Sequence, residues 1–288
     1  MSHQEQPLVV SVMGLSDVGL VRANNEDCFL IADLTQGVEI TTPAVREYAS
    51  GPGGSLFVVA DGMGGAAAGE VASRMAVESI ATFLRTSRYS DRLGFCAALD
   101  DSIDQANRLI YRESRRNGNL RGMGTTLTAA GVYDASVLFA QVGDSRAYLV
   151  RNHHIVQMTR DQSLVAQLVA SGRLSPEGAK THPQRNVILQ ALGAAERVDA
   201  VFSVAELRLG DWLILCSDGL SGKIEDQELQ EIVKQCSAPK DACEKMVAVA
   251  RDRGGEDNIT VIAARFDGER LLPPGPREAA VYQEFKLH

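Results

Sequence analysis

Asp61 ends the apolar run Phe57-Val58-Val59-Ala60 and is followed by Gly62-Met63-Gly64-Gly65, and Asp218 follows Trp212-Leu213-Ile214-Leu215-Cys216-Ser217 and precedes Gly219. Asp144 comes after the apolar stretch Val137 to Val142, Asp257 stands directly before Asn258-Ile259-Thr260-Val261, and the pair Glu26-Asp27 precedes another apolar run. Taken singly, an Asp-Gly after a strand is a turn, with Asp capping the backbone and Gly supplying positive φ. The repetition points further, to strand ends that each present a carboxylate. If those ends converge, their repulsion costs several kcal/mol unless cations lie between them. Carboxylates, a backbone carbonyl and water are hard oxygen donors suited to Mg2+ or Mn2+, whereas zinc calls for Cys or His. The five histidines form no such cluster: His3 and His288 are terminal, His153 and His154 sit in an expected turn, and His182 lies in an irregular segment.

The elements that must position these residues can be read from periodicity. Val9 to Val12, Cys28 to Ala32 and Leu56 to Ala60 have strand length and composition. From Ala66 to about Arg85, Val71, Met75, Ile80 and Leu84 recur at helical spacing, and a second helix is expected from about Arg92 to Arg116 on Leu99, Ile103, Ala106 and Ile110. Thr126 to Val132, Val137 to Val142 and Ala147 to Val150 read as a three-stranded antiparallel meander. Residues 159 to 193, broken by Gly172, Pro176, Gly178, Pro183 and Gly193, read as an irregular flap. Strands follow at Val198 to Val204 and Trp212 to Cys216, helices at Asp226 to Gln235 and Lys240 to Arg251, and a last strand at Asn258 to Ala264. The segment after Asp267, with Pro273, Pro274 and Pro276, reads as poorly anchored. Strands in runs and helices in pairs predict an α+β layered fold. The expected division is an N-terminal tail (1–7), one catalytic domain (8–267) and a C-terminal tail (268–288).

Composition narrows the classes. The chain has 288 residues, 45% of them hydrophobic, enough for a full core. No apolar run approaches the roughly 20 residues of a membrane span, and the polar start lacks a secretory pattern, so no membrane association and a cytoplasmic location are expected. Five cysteines without a Cys-x-x-Cys pair fit a reducing compartment. With 37 acidic and 29 basic residues the formal charge is -8, which disfavours nucleic acid as a partner.

Six ordered motifs carry a resemblance over nearly the whole chain: Asp17-Val18-Gly19 with Arg22 and Asn25-Glu26-Asp27; Asp61-Gly62-Met63-Gly64-Gly65; Gly122-Met123-Gly124-Thr125-Thr126; Val142-Gly143-Asp144-Ser145-Arg146; Ser217-Asp218-Gly219-Leu220; and Asp257-Asn258-Ile259-Thr260. In these the chain resembles the bacterial metal-dependent protein phosphatases, the type 2C serine/threonine phosphatases. The resemblance implies a four-layer α-β-β-α sandwich of two antiparallel sheets flanked by helix pairs, with a dinuclear Mn2+ or Mg2+ centre at one end. It implies that Asp61 bridges both ions, that the Gly62 carbonyl binds one, and that Asp218 and Asp257 bind the other. Glu26 and Asp27 resemble residues that hold metal-bound waters, Asp27 being the closer to a metal. Asp144 with Asp218 resembles the site of a weaker third ion. Arg22 resembles the arginine that grips the substrate phosphate, its planar fork matching two oxygens as a lysine could not. The implied reaction is hydrolysis of phosphoserine and phosphothreonine by metal-activated water, by a monomer acting on phosphorylated proteins and opposing a cognate kinase.

Two departures stand out. Many eukaryotic relatives carry histidine at Met63, proposed to protonate the leaving alkoxide, which a thioether cannot do. Bacterial members often carry histidine at Gln162. Other phosphate chemistries fail on sequence: no cysteine is followed six residues later by arginine, as a thiolate phosphatase requires, and Gly222-Lys223 lacks the upstream glycine of a P-loop. The competing class is a catalytically silent relative that binds a phosphoprotein, and the complete carboxylate set weighs against it.

Overall fold

The computed structural model describes residues 7–65 and 68–287, so the expected start of the first helix at Ala66 and most of the N-terminal tail fall outside the described residues. The chain runs β1 (Leu8–Asp17), β2 (Asp27–Asp33), β3 (Val38–Ile40), β4 (Ala44–Ser50), β5 (Ser55–Met63), α1 (Ala68–Thr86), α2 (Arg92–Arg116), β6 (Gly124–Thr125), β7 (Leu127–Tyr133), β8 (Ser136–Val142), β9 (Arg146–Arg151) and β10 (His154–Gln157). It continues with α3 (Leu164–Ala170), α4 (Pro176–Thr181), β11 (Val201–Glu206), β12 (Trp212–Cys216), α5 (Asp218–Ser221), α6 (Asp226–Gln235), α7 (Pro239–Asp252), β13 (Ile259–Asp267) and β14 (Gln283–Phe285). One sheet has the order β10-β9-β12-β13-β1-β4, the other β14-β11-β8-β7-β5-β2-β3 with β6 beside β5, and the pairings are antiparallel.

Three apolar layers hold this arrangement. On β5, Leu56, Val58 and Ala60 face α1 and α2, while Phe57 and Val59 face the other sheet. A strand buried on both sides has no polar face to alternate with, which is why this segment reads as an unbroken apolar run. The middle layer joins Val10, Val12, Phe29, Phe139, Leu149, Leu213, Leu215, Ile262 and Phe266. Trp212, Ile214 and Cys216 on the outer face of β12 pack with Leu229, Met246 and Val247 of α6 and α7. On α1, Val77, Ile80 and Leu84 are at most 1% exposed; burying each is worth about 1.5–3 kcal/mol.

The four-layer α+β sandwich is as the resemblance implied, with differences in detail. The expected three-stranded meander is a β7–β8 hairpin only; β9 crosses to the other sheet, between β10 and β12. Gly143, at φ +97°, makes the crossing possible, and a side chain there would also meet Thr126. Periodicity identifies a strand but not its sheet. The edge strands β3 and β4 were not expected; β4 alternates intermediate and exposed positions as an edge strand does. His154 opens β10, and the turn before it is carried by Asn152 and His153 at positive φ. The segment after Asp267 is anchored, contrary to expectation: Leu271 and Ala280 are buried, Glu278 pairs with Arg151 and Arg208, and β14 adds to β11 with Phe285 against Phe202. Its prolines obscured how few apolar contacts suffice to fix it. Among the described residues no helix is long and apolar enough to cross a membrane, and the five cysteines are unpaired.

Candidate active site

The two-residue alternation of the strands carries the carboxylates to one place. Asp61 continues the inward series Phe57, Val59, and Asp27 continues the inward series Phe29, Ile31; the two aspartates are register partners on β5 and β2. Where the apolar filling of the sandwich stops, acid begins. Asp144 enters from the β8–β9 crossing, Asp218 opens α5 directly after β12, and Asp257 precedes β13. Arg22, Asn24, Glu26, Asp61, Gly62, Met63, Gly64, Gly65, Thr126, Asp144, Asn186, Ile188, Asp218, Asp257 and Asn258 line a cavity of about 280 Å3, with Asp27 buried behind it. A larger groove of about 660 Å3 lies between α1 and α2 around Met75, Glu78, Phe83 and Leu109, sharing no lining residue with this cluster and nearly without ionisable groups.

Hydrogen bonds fix the acids from behind. The Asp61 N–H donates to Thr126 Oγ1 (3.0 Å), and its carbonyl accepts from the Thr126 N–H (2.8 Å) and Thr125 Oγ1 (2.9 Å). Ser217 Oγ donates to Asp27 Oδ2 (2.7 Å) and accepts from the Thr260 N–H (3.0 Å), linking the two sheets. Asn258 knots the loop before β2: its Oδ1 accepts from the Glu26 N–H (2.8 Å), and its Nδ2 donates to the carbonyls of Val18 and Asn24 (both 3.0 Å). Arg251 bonds Asp17 (2.6 Å), which also accepts from the Gly19 N–H, setting the turn that leads to Arg22. Arg22 itself donates to Asp257 Oδ2 at 2.8 Å.

Every expected site residue therefore meets at one mouth. Ser217, Thr126, Asn258, Asn186 and Ile188 also belong to this end of the molecule, without a role legible in the sequence. The first three stood inside quoted motifs, but their partners are distant in sequence. Asn186 and Ile188 come from the flap, where no local pattern distinguishes them. That flap is pinned by Ser163 pairing with Ile188 and Thr125 with Leu192. Gln162 accepts from the Gly143 N–H (2.8 Å) through Oε1 and donates to the Asp199 carbonyl (3.3 Å), so it braces the Asp144 turn. Met63 lines the cavity opposite Gly124, its register partner.

The electrostatics are one-sided. Burial first, then neighbouring carboxylates, raises Asp61 well above the ordinary range; burial pushes Asp27 up to about 7 against hydrogen bonds from Thr260 and Ser217; burial and Asp218 push Asp144 up to about 7. Asp218 and Glu26 are raised as well, chiefly by burial. Among the described residues lining the cavity Arg22 is the one cation, held ionised by its bond to Asp257. Asp27 Oδ1 is buried without a hydrogen-bond partner. A hard divalent cation would satisfy both conditions, so the donor set fits one. Among the described residues no three His, Cys, Asp or Glu already close on a point as a preformed cage.

Close backbone packing makes this end intolerant of bulk. A methyl on Gly219 would stand 2.0 Å from the Asn258 carbonyl oxygen, and backbone cannot step aside as a side chain can. Gly219→Ala is expected to lower stability by about 2–3 kcal/mol and to displace Asp218 and Asp257 together. Thermal melting and metal titration of the variant check this, and a variant with the wild-type melt and manganese affinity would refute it.

Two antiparallel sheets with outer helices thus end at an acidic mouth whose donors suit a hard cation. A model of the protein phosphatase 2C family matches residues 44–258. The Listeria monocytogenes serine/threonine phosphatase stp is 39% identical over 213 residues, 74% of this chain and 84% of that one. Among solved structures, the Mycobacterium tuberculosis serine/threonine phosphatase PstP matches with TM-score 0.76 and 36% identity over 90% of this chain and 99% of that one. A PstP catalytic domain in complex with two manganese ions matches with TM-score 0.74 and 35% identity, with the same shares covered. The chain belongs to the protein phosphatase 2C family and is a serine/threonine phosphatase.

Proposed function

We propose that the chain hydrolyses phosphoserine and phosphothreonine in phosphorylated proteins at this mouth, with Asp61, the Gly62 carbonyl, Asp218 and Asp257 holding two divalent ions. Asp27, Asp144 and Glu26 supply further oxygens, Asp144 and Asp218 serving a weaker third ion. The observation that carries the reading is a set of half-buried carboxylates around a cavity in which, among the described lining residues, Arg22 is the one cation. The two manganese ions of the related PstP catalytic domain support Mn2+ at this site, with Mg2+ as the alternative of the same hard-oxygen preference. When bound, such ions lower the pKa of water and neutralise charge on the transferred group.

The residues of the chain do the rest. Arg22 stands at the rim, about half exposed, where its second edge is free to meet two phosphate oxygens while the first stays on Asp257. Thr126 and Ser217 hold Asp61 and Asp27 in orientation at no cost at the moment of reaction. The mouth is open, which suits a phosphorylated side chain on a protein surface. Opposition to a cognate serine/threonine kinase in the cytoplasm, by a monomer, completes the reading. Release of phosphate from a phosphothreonine peptide, with manganese and with excess chelator, tests it; inertness at millimolar manganese would favour the silent binding relative instead.

The acids also set a pH dependence of stability. Folded Asp27 and Asp144 titrate near about 7, but about 4 when unfolded. Between those values the folded chain holds more protons, so in chelator their contribution to stability falls as pH rises from about 4 through about 7. Chelated protein is expected to melt several degrees lower at pH 8 than at pH 5.5, and manganese to restore most of the loss at pH 8. A chelated melt that rises across this window would contradict the assignment.

A further inference from the structure

The end of α2 and the turn after it carry Arg112, Arg115, Arg116 and Arg121, all exposed, with Glu113 as the one acid among them. Many basic side chains of this surface are matched by a carboxylate, as in Arg74–Glu70, Arg85–Glu39, Arg92–Glu206 and Arg253–Glu228. Here the matching fails. Among the described residues Arg112 and Arg121 have no carboxylate within ion-pair distance, Arg116 reaches Glu113 only at 3.7 Å, and Arg115 lies over the Tyr111 ring at 5.6 Å. Arg115 and Arg116 complement the dipole at the helix end. Arg121, beyond the helix, has no such role.

This basic face adjoins the mouth. The Gly122 N–H donates to Ser114 Oγ (3.0 Å) and the Met123 N–H to the Leu120 carbonyl (3.1 Å), folding the turn back on the helix. A methyl on Gly64, which lines the cavity, would stand 3.1 Å from the Gly122 carbonyl oxygen and 2.9 Å from Met123 Cα. Arg121 is thus one residue from the wall of the site. The chain carries a formal charge of -8 and an acidic mouth, so an acidic partner needs a local cationic surface to approach at all.

Resting on the phosphatase reading above, we infer that this arginine face receives acidic side chains flanking the phosphorylated residue, so that the preferred substrates are phosphoproteins with Asp or Glu near the phosphoserine or phosphothreonine.

The test compares kcat/KM, with manganese, on an acid-flanked phosphothreonine peptide, the same peptide with glutamines for its acids, and an aryl phosphate, for the wild type and for R115A/R116A/R121A. Exposed charges give about two- to threefold each. The wild type should favour the acidic peptide about tenfold at low salt and lose that preference at high salt. The triple variant should lose it at any salt while the aryl phosphate rate stays within twofold, and Arg121→Glu alone should cut it to about twofold. Equal rates on both peptides, or a preference unchanged in the variants, would overturn the inference and leave the phosphatase reading standing. A wild type inert on all three substrates would overturn both.

Discussion

Replacing Asp61 with asparagine is expected to reduce kcat on a phosphothreonine peptide by about 1000-fold or more, the loss of roughly 4 kcal/mol of transition-state stabilisation. The amide keeps the side chain's shape and leaves untouched the backbone bonds to Thr125 and Thr126 that hold the residue. What disappears is the charge at the centre of the group formed with Asp27, Asp144, Asp218 and Asp257. The same change removes a buried carboxylate that burial and four neighbours make costly to ionise, so in chelator the variant should melt at or above the wild-type temperature at pH 8. The two readouts move in opposite directions. A variant that lost activity and melting temperature together would have failed to fold and would say nothing for a catalytic role. One that kept a tenth of the wild-type rate would remove Asp61 from the centre of the chemistry.

The largest effect on stability is expected far from the mouth, at Arg151 and Asp211. Their side chains are 5% and 0% exposed and meet in a two-pronged pair, Nε to Oδ1 at 2.9 Å and Nη2 to Oδ2 at 2.7 Å. The guanidinium also donates to the Glu206 carbonyl (2.6 Å) and to Glu278 (2.9 Å). Arg151→Met leaves a carboxylate in the interior without its partner, which costs about 3–5 kcal/mol, on the order of 10 °C in melting temperature for a chain of this size. Arg151→Met combined with Asp211→Leu should recover much of that loss, because the uncompensated charge goes with its partner. Activity per folded molecule should be unchanged in both. A single variant that melts within 2 °C of the wild type would show that the pair contributes little.

Asp61, Asp144, Asp218 and Asp257 were legible because each sits at the limit of an apolar run, and the run is its own evidence for a strand. The convergence of those limits was not legible from periodicity, since it depends on β9 leaving the β7–β8 hairpin for the opposite sheet. The ordered motifs supplied that step as a family resemblance. Ser217 and Asn258 escaped assignment because their chemistry is positional: a hydroxyl and an amide act here only through Asp27, Thr260, Glu26 and Asn24, which the fold brings to them. The resemblance gives Arg22 as the arginine that grips phosphate, but not as a partner of Asp257, 235 residues away along the chain. The C-terminal segment hides its anchoring for a different reason. Its prolines and charges dominate a compositional view, whereas Leu271, Ala280 and Phe285 decide its place.

That segment also changes what the sheet offers to other molecules. Without β14, β11 would present a row of unpaired N–H and C=O groups at the margin of the sheet, a template on which a foreign strand could grow into an aggregate. The cap that covers it has only three residues, Gln283 to Phe285, with a charged Glu284 in its middle and Lys286 next to it. So short and charged a border is a poor seed for further stacking, and the molecule gains a terminated edge from residues whose composition suggested none.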